Sequence, residues 1–503
     1  MWSSRALPEG AQPARAALAG AAAALGLAPW NLWWLALPAL ALLIAQIAGT
    51  GTGGWRLFRL GWFAGAGYFL VALFWIVEPF LIDVARHGWM APFALVLMAG
   101  GMALFWGVAG LVAGLAAGRA GRALGFALGL AATDLLRGYV FTGFPWAQVG
   151  QIYVETPILQ AAALAGPGGL SLLALLPAAL PSLSRSPAAR AALAALAVVV
   201  LGLVWIWGQG RLDAPVPPRA PPFTVRLVQP DADQHLKWRA DMWRVFFDRQ
   251  MALSQQPAPV PLDLIVWPET AVPFLLEDAG PFFEDLALST GGVPLALGIQ
   301  RRDGARYYNS LALTDARGAL IATYDKWHLV PFGEYVPFGD ALGSLGFTAF
   351  AAQAGNGYSS GPAPRVLDSA RSGRILPLIC YEAVFAQDLF VPGARPDWIL
   401  QITNDGWFGT VSGPYQHLAQ ARMRAVEQGL PLLRAANTGV SAVVDARGQV
   451  LQALPLGAIG VIDAAVPPPL PATLYSRTGD SVVALALIAA LGALLAARRS
   501  RAG

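Results

Sequence analysis

Long apolar runs dominate this sequence and limit how it can fold. Of the 503 residues, 56% are hydrophobic and 13% are charged, whereas soluble domains average about 25% charged residues. A bilayer core needs about 20 apolar residues per helix. Candidate spans cover residues 16–27, 30–49, 60–82, 90–115, 123–140, 158–183, 191–207 and 482–497. The sequence therefore predicts a multi-span α-helical membrane bundle of about eight transmembrane helices.

The positions of the arginines predict which way this bundle faces. Alternating the spans places on one side the arginines at 5, 15, 56, 59, 119, 122, 185, 190, 498, 499 and 501. The opposite short loops hold only Arg86 and Arg137. Because short cytoplasmic loops carry an excess of basic residues, the first side should be cytoplasmic. The N-terminus resembles a signal peptide, but it has no clear cleavage site, and we expect it to be retained.

Charge also separates the chain into parts. Residues 211–480 hold 21 basic and 25 acidic residues, whereas the remainder holds 13 basic and 5 acidic residues. The excess of basic residues thus belongs to the apolar part, where these residues lie between the hydrophobic runs. Because nucleic-acid binders instead cluster basic residues on one face of a folded domain, no nucleic acid partner is expected. We predict an N-terminal transmembrane bundle of about seven helices over 1–210, an extracytoplasmic domain over 211–480, and a final helix with a basic cytoplasmic tail over 481–503.

The outward segment has the pattern of an α/β domain. Short apolar runs at 223–229, 262–269, 294–300, 309–314, 374–382, 398–404, 431–437 and 441–445 are typical of buried strands. Helical patterns lie between several of them, notably at 231–254 and 417–428. Proline-rich stretches at 214–222 and 467–472 bound the segment. About 270 residues of this kind are enough for one substantial domain.

Glu269 ends the apolar run LDLIVWPE. A carboxylate at the mouth of a hydrophobic strand is a candidate general base, because such surroundings shift its pKa toward neutrality. The same position also suits an ordinary solvated carboxylate at a strand end.

Lysine is scarce in this chain. The 34 basic residues include only two lysines, Lys237 and Lys326. Neither follows a glycine, so the phosphate-binding loop of nucleotide hydrolases is absent and no nucleotide is expected. Lys326 lies in YDKWHLVPFGEYVP, eight residues before Glu334. An ammonium and a guanidinium differ in shape and acidity, so this lysine is either a specific choice for catalysis or chance.

Cys380 is the only cysteine and is followed by Tyr381 and Glu382. A single cysteine excludes an internal disulfide framework and any multi-thiolate metal site. A thiolate is a strong nucleophile when a base or a cation activates it, although a lone cysteine is more often an inert small hydrophobe. None of the four histidines has a recognisable catalytic setting beside it.

These motifs, in this order, resemble those of a known enzyme superfamily. WPE, a lysine followed by GE, and CYE resemble the Glu–Lys–Cys triad of the carbon–nitrogen hydrolase (nitrilase) superfamily. The apolar flanks, the string KWHLVPFGEYVPF, ICYE, NDGWFG (404–409) and RMRAVEQG (422–429) narrow the resemblance to the apolipoprotein N-acyltransferase family. In the membrane part the resemblance depends on the helix count and the FPW string at 144–146.

The resemblance implies an extracytoplasmic nitrilase-like αββα sandwich and a role for each site residue. Glu269 would be the general base, Lys326 would stabilise the oxyanion, and Cys380 would be the nucleophile. Glu334, Glu382 and Tyr381 would support these three. Trp238, Asn309 and Trp146 would contact substrate, although core packing explains the aromatic residues equally well. No metal and no cofactor are implied.

The resemblance also implies a reaction. An acyl chain would pass from a glycerophospholipid to Cys380 as a thioester, and then to the α-amino group of the N-terminal diacylglyceryl-cysteine of an apolipoprotein. Because both partners are lipids of one leaflet, we expect a multi-pass protein of the bacterial inner membrane, with the catalytic domain on the periplasmic face of the bilayer.

Other interpretations remain open at this stage. A membrane-tethered amidase acting on small amides would carry the same triad, and a transporter or scaffold could retain a degenerate hydrolase domain. Asp134, in or near a span, is either a functional intramembrane acid or a structural partner of Arg137. The loop at 338–360 is a candidate lid over the site.

Overall fold

The structure, a computed structural model, describes residues 11–51, 53–337, 357–393 and 395–499. The described chain divides into two compact units. A helical unit contains the residues up to Ala214, the segment 411–419 and the residues from Leu474 onward. An α/β unit contains residues 215–410 and 420–473.

Each of the eight apolar runs contains a helix in the described structure. The longer helices of the helical unit are Ala11–Ala24, Trp33–Gly49, Gly54–Ala72, Ala91–Leu115, Gly118–Leu136, Ala162–Ala179, Pro187–Asp213 and Ser481–Arg499, and the shorter ones are Glu78–Leu81, Val84–His87 and Leu474–Thr478. Within the described ranges, four helical stretches are long and apolar enough to cross a membrane, or five if a pair bent by 64° counts as one span. Most of Pro187–Asp213 is exposed although it is apolar, which is the property of a lipid-facing helix.

Small residues let two of these helices pack closely. A Cβ atom added to Gly61 would lie 2.2 Å from the Trp106 carbonyl oxygen, and one added to Gly110 would lie 2.2 Å from that of Leu57. The helices Gly54–Ala72 and Ala91–Leu115 therefore approach each other backbone to backbone. Such contact between small residues is a main source of helix association in membranes.

A buried ion pair organises the loop after helix Gly118–Leu136. Arg137 Nη2 donates to Asp134 Oδ1 at 2.7 Å, and Arg137 Nη1 donates to the carbonyl oxygens of Phe144 and Trp146 at 2.5 and 2.6 Å. The second Asp134 oxygen accepts from the Ser171 hydroxyl at 2.9 Å. The pair thus satisfies a set of buried polar groups, as the structural account of Asp134 predicts.

The α/β unit is built from two six-stranded sheets among the described residues. Its strands are β1 Thr224–Gln229, β2 Leu264–Val266, β3 Leu295–Asp303, β4 Arg306–Thr314, β5 Leu320–Asp325, β6 Leu367–Ser369, β7 Gly373–Ile379, β8 Trp398–Thr403, β9 Leu432–Ala436, β10 Ser441–Val444, β11 Val450–Leu454 and β12 Gly460–Ala465. The first sheet has the order β12-β1-β2-β3-β4-β5 and the second has the order β6-β7-β8-β9-β10-β11.

The two sheets repeat one pattern of strand directions. In each order, the second, third and fourth strands are parallel and the outer pairings are antiparallel. Helices Trp243–Ser254 and Gly280–Ser289 share an apolar core with the first sheet that includes Leu253, Trp267 and Phe283. Functional sites of α/β folds lie at the carboxyl ends of parallel strands. We therefore expect a functional site at the ends of β2, β7 and β8.

The strand predictions were incomplete. The four missed strands, β5, β6, β11 and β12, are the outermost strands of the two sheets, whereas the prediction relied on runs typical of buried strands; in β5 and β11 most residues are at least partly exposed. The predicted helix over 231–254 was wrong in its first half, since the observed helix is Trp243–Ser254. Residues 231–242 form a loop and turns, and both the amide and the carbonyl of Ala232 bond to the Asn437 side chain at 2.9 and 2.7 Å.

Candidate active site

Glu269 lies three residues after β2, on a tight and strained turn. The next residue, Thr270, has φ of +45°, a left-handed conformation that is uncommon for a residue with a side chain. The turn packs against Gly298 of β3, where an added Cβ would lie 2.5 Å from the Glu269 Cα. Gly298 is therefore required for this close approach, and the turn directs the carboxylate into the unit.

The Glu269 carboxylate is buried and accepts two hydrogen bonds. Its Oε1 accepts from Asn309 Nδ2 at 2.7 Å, and its Oε2 accepts from the backbone N–H of Asn404 at 2.9 Å. Only 6% of the residue is exposed. The alternative of a solvated carboxylate at a strand end does not fit this burial.

Lys326 follows β5 and lies between two carboxylates. Its Nζ is 2.8 Å from Glu334 Oε2 and 3.6 Å from Glu269 Oε1. Burial alone would lower the pKa of Lys326, but Glu334 and then Glu269 outweigh burial and raise that pKa well above its ordinary value. The lysine is therefore a permanent cation within the cluster.

Asn309 bridges the same two carboxylates. Its Nδ2 donates to Glu334 Oε1 at 3.0 Å as well as to Glu269. Its backbone carbonyl oxygen accepts from the backbone N–H of Lys326 at 2.8 Å. Because carboxylates only accept, the amide nitrogen must face them. The Asn309 Oδ1 atom is then left buried with no hydrogen-bond partner among the described residues.

Cys380 begins the turn that follows β7. Its φ is +50°, and residues Cys380–Val384 form a 3-10 helix. Strained backbone at a side chain with chemistry is a recurrent property of active sites. Burial and then the charge of Glu269 raise the pKa of the Cys380 thiol far above its ordinary value, against the opposing charge of Lys326. The resting thiol is therefore neutral and needs a base to become a nucleophile.

The end of β8 supplies a buried polar group beside this thiol. Thr403 hydrogen-bonds to Cys380, and its hydroxyl also donates to Asp405 Oδ1 at 2.9 Å. The other Asp405 oxygen accepts from Arg434 of β9. The Cys380 thiol thus has an anchored hydroxyl on the side of β8.

Glu382 joins the cysteine turn to the loop that carries Lys326. One of its oxygens accepts from the Tyr324 hydroxyl and the Trp327 N–H, each at 2.7 Å, and the other accepts from the Ile379 N–H at 2.7 Å. Burial raises the pKa of Glu382 to about 7, although these donors oppose the shift. Glu382 therefore holds two of the predicted site segments in register.

The predicted aromatic residues have three different surroundings. Tyr381 is buried and packs edge-on against His328 and Phe385, with ring centroids 6.0 and 4.9 Å apart. Trp238 is 37% exposed. Trp146 belongs to the helical unit, where it is fully buried, packs against Trp75 and donates to Gln416 Oε1 at 2.7 Å.

Sequence reasoning left part of this cluster out. It assigned no role to Lys237, Asn404 or Thr403. The NDGWFG string, which begins at Asn404, contributed to the family resemblance but was not assigned to the site. The predicted lid at 338–360 lies outside the described residues except for its last four positions.

The arrangement defines a class of protein. Glu269, Lys326 and Cys380 lie close together after strands of the two sheets, and residues 224–472 match the family described as carbon-nitrogen hydrolase. Residues 19–180 match a second family, the apolipoprotein N-acyltransferase N-terminal domain.

Relatives over nearly the whole chain give the family. The apolipoprotein N-acyltransferase of Caulobacter vibrioides is 40% identical over 96% of this chain and 94% of its own length. That of Brucella melitensis is 39% identical over 90% of this chain and 89% of its own length. The chain therefore belongs to the apolipoprotein N-acyltransferase family. Among solved structures, an amidase from Nesterenkonia sp. aligns at 19% identity and a TM-score of 0.35, covering 52% of this chain and 94% of its own.

Proposed function

We propose that this chain moves an acyl chain from a glycerophospholipid to Cys380, and then to the α-amino group of the N-terminal diacylglyceryl-cysteine of apolipoproteins. The observation that carries the proposal is the buried Glu269–Lys326–Glu334 cluster beside a neutral thiol on a strained turn. The family relatives, named apolipoprotein N-acyltransferases, supply the substrate class.

In the first half-reaction Glu269 takes the Cys380 proton as the sulfur attacks the ester carbonyl carbon. The S–C bond forms and the carbonyl oxygen becomes an oxyanion. Because the proton moves from the thiol to the nearby carboxylate, the net charge of the cluster does not change. That constancy matters in a buried site, where an additional charge is costly.

Lys326 would stabilise the oxyanion together with a backbone N–H near Tyr381. Glu334 binds the lysine from one side and leaves its remaining N–H bonds free to reorganise toward substrate. As the ester C–O bond breaks, the glycerol oxygen takes the proton from Glu269. A lysophospholipid leaves, and the acyl chain stays on Cys380 as a thioester.

The second half-reaction reverses these proton steps. The acceptor amine attacks the thioester carbon while Glu269 takes an amine proton. The C–S bond then breaks and the sulfur takes that proton back. A thioester is reactive enough to form an amide, so neither a nucleotide nor a cofactor enters the scheme.

Substrate contacts follow from the same geometry. Trp238 is partly exposed, and Asn309 presents an amide oxygen that has no partner within the described residues, so both can meet substrate. Tyr381 adjoins the nucleophile. In the helical unit we propose that Trp146 contributes to substrate contact, because its packing against Trp75 gives it an apolar setting.

We place the chain in the bacterial inner membrane with about eight spans. The proposed domains are 1–210, 211–480 and 481–503, with the catalytic domain on the periplasmic side. The arginine distribution supports this orientation, and the apolar exposed helices support insertion. A lipid bilayer holding both substrates explains why a hydrolase-type domain is joined to a membrane bundle.

Intact mass spectrometry tests the proposal. After incubation of the full chain with a phospholipid of defined acyl composition, we expect a mass increase of one acyl chain. The control variant Cys380→Ser should show no hydroxylamine-labile adduct. Adding a diacylglyceryl-cysteine peptide should discharge the thioester and acylate the peptide amine.

Two results would contradict the proposal. One is N-acylation of the peptide by Cys380→Ser at the wild-type rate. The other is no adduct from phospholipid together with hydrolysis of small amides, which would favour the amidase alternative.

A further inference from the structure

Lys237 is a buried lysine that the proposed mechanism does not use. It is one of the two lysines in the chain, and only 5% of it is exposed. Its Nζ donates to the carbonyl oxygen of Glu269 and to the hydroxyl of Thr270, each at 3.2 Å. The same nitrogen lies 5.0 Å from the ring centroid of Trp238. Both lysines of this chain therefore contact the residue that we propose as the base.

The contact falls on the turn that directs Glu269. Thr270 holds a left-handed conformation that is unfavourable for a residue with a side chain. Gly298 packs against one side of this turn. Lys237 bonds to the main chain of Glu269 and the side chain of Thr270, so the strained turn has both a packing contact and a bonded contact.

The segment that carries Lys237 is itself anchored to the site. Asn404 Nδ2 donates to Gln234 Oε1 at 2.6 Å, and the Asn404 backbone N–H donates to the Glu269 carboxylate. Asn437 holds Ala232 through its side chain. The segment and Glu269 thus share a common support, and Lys237 closes the connection between them.

Lys237 remains charged at neutral pH. Burial lowers its pKa to about 8, and the nearby Glu269 opposes part of that shift. A buried cation with two oxygen acceptors and an aromatic face is well satisfied, so a lysine is accommodated at this position.

We propose that Lys237 is a positioning residue that holds the Glu269 turn in the orientation needed for proton transfer. The proposal rests on the proposed function, in which Glu269 is the base. It predicts that losing Lys237 slows proton transfer more than it weakens lipid binding, because Lys237 bonds to the Glu269 turn, whereas it contacts Trp238 only through the face of the ring.

The test compares three full-length variants. Lys237→Met removes the N–H donors and keeps the length of the side chain. Lys237→Arg keeps charge and donors. The matched control is Arg249→Met, because Arg249 Nη1 donates to the carbonyl oxygens of Pro230 and Asp231 in the same segment, at 2.6 and 3.1 Å, and does not bond to the Glu269 turn. For each variant we would measure acyl-enzyme formation against phospholipid concentration, together with the thermal midpoint.

We expect Lys237→Met to lower the maximal acylation rate by about 10- to 100-fold, as a small misplacement of a catalytic group does. The phospholipid concentration at half-maximal rate should change by less than the maximal rate does. Lys237→Arg should regain part of the loss, and Arg249→Met should acylate at the wild-type rate. A wild-type rate in Lys237→Met, or an equal loss in Arg249→Met at a matched thermal midpoint, would overturn the proposal.

A second measurement separates this inference from the proposed function. Alkylation of Cys380 by iodoacetamide also requires removal of the thiol proton but needs no lipid. If wild-type protein formed no thioester, the acyltransferase proposal would fail. The positioning proposal would still stand or fall on whether Lys237→Met alkylates more slowly than both wild type and Arg249→Met.

Discussion

Two buried clusters of opposite charges among the described residues, one in each unit, differ in how completely their groups are paired. In the helical unit Asp134 and Arg137 form a 2.7 Å pair. In the α/β unit two carboxylates, Glu269 and Glu334, both lie against the Lys326 ammonium, and Lys237 bonds to the main-chain oxygen of Glu269. The first cluster pairs one carboxylate with one guanidinium, whereas in the second two carboxylates share the Lys326 ammonium beside a neutral thiol.

The two clusters also differ in whether a carboxylate has a neighbouring group with which it could exchange a proton. Asp134 accepts from the Ser171 hydroxyl and the Val149 N–H as well as from Arg137, so its oxygens have fixed partners. Glu269 accepts from Asn309 and Asn404, and the neighbouring thiol holds a proton that the carboxylate can accept. Burial of a charge therefore does not by itself identify a catalytic group, and a carboxylate that shares its cation beside a thiol is the stronger candidate.

The largest effect should come from neutralising Glu269, the carboxylate that we propose as the base. In Glu269→Gln we expect acyl-enzyme formation to fall by about 100- to 10,000-fold, which is the usual range for loss of a general base. Intact mass spectrometry over time gives the rate. Glu277→Gln is the control, because Glu277 is an exposed carboxylate of the same unit. An acylation rate in Glu269→Gln close to that of the control would remove Glu269 from the mechanism.

Changing the shape of the shared cation should have the next largest effect. We expect Lys326→Arg to slow acylation by about 100- to 1,000-fold, the usual loss for one oxyanion donor. A planar guanidinium cannot replace an ammonium between two carboxylates and still direct an N–H at the oxyanion. The control is Arg374→Lys, the reverse exchange at a partly exposed ion pair with Asp397, and it should leave the acylation rate unchanged. Near-normal rates in Lys326→Arg would contradict the role given to the ammonium.

Glu382→Gln should slow acylation about tenfold, because it loosens the connection between the Lys326 loop and the Cys380 turn. It should also change the pH dependence of stability. Since burial raises the folded pKa of Glu382 from 4.5 to about 7, its protonated form stabilises the fold below pH 4.5, and that contribution is lost as pH rises through 7.

Chemical denaturation at several pH values checks this linkage. The difference in the free energy of unfolding between wild type and Glu382→Gln should decrease between pH 5 and 7, by at most about 1.4 kcal/mol per pH unit. A difference that does not change with pH would show that Glu382 does not titrate in this range.

The smallest effect on rate should come from the Asp134–Arg137 cluster of the helical unit. Asp134→Asn leaves Arg137 buried without its partner and should lower the free energy of unfolding by about 3–5 kcal/mol. The acylation rate per folded molecule should stay at the wild-type value. Thermal midpoints and acyl-enzyme rates, measured on the same preparation, separate the two quantities. A rate loss with unchanged stability would instead make Asp134 a functional intramembrane acid.

Much of the fold was predictable because long or strand-length apolar runs indicate regular structure. The apolar runs predicted the positions of the eight longer helices, and buried central strands such as β8 and β9 were visible as mostly apolar stretches. Strand β11 was missed although four of the five residues in VLQAL are apolar, and it is a mostly exposed edge strand. Residues 231–242 looked helical because their spacing of apolar residues suits a helix, yet bonds to distant asparagines hold them as turns.

For the site, rarity and spacing singled out Lys326 and Cys380, and their chemistry could be inferred from residue type alone. Their distances and burial, and the contacts of Lys237, Asn404 and Thr403, could not. Lys237 and Glu269 are 32 positions apart, and Asn404 and Glu269 are 135 apart. A sequence specifies which groups can donate, accept or attack. Only the folded arrangement of the two sheets brings those groups within hydrogen-bonding distance and removes the water that would otherwise satisfy them.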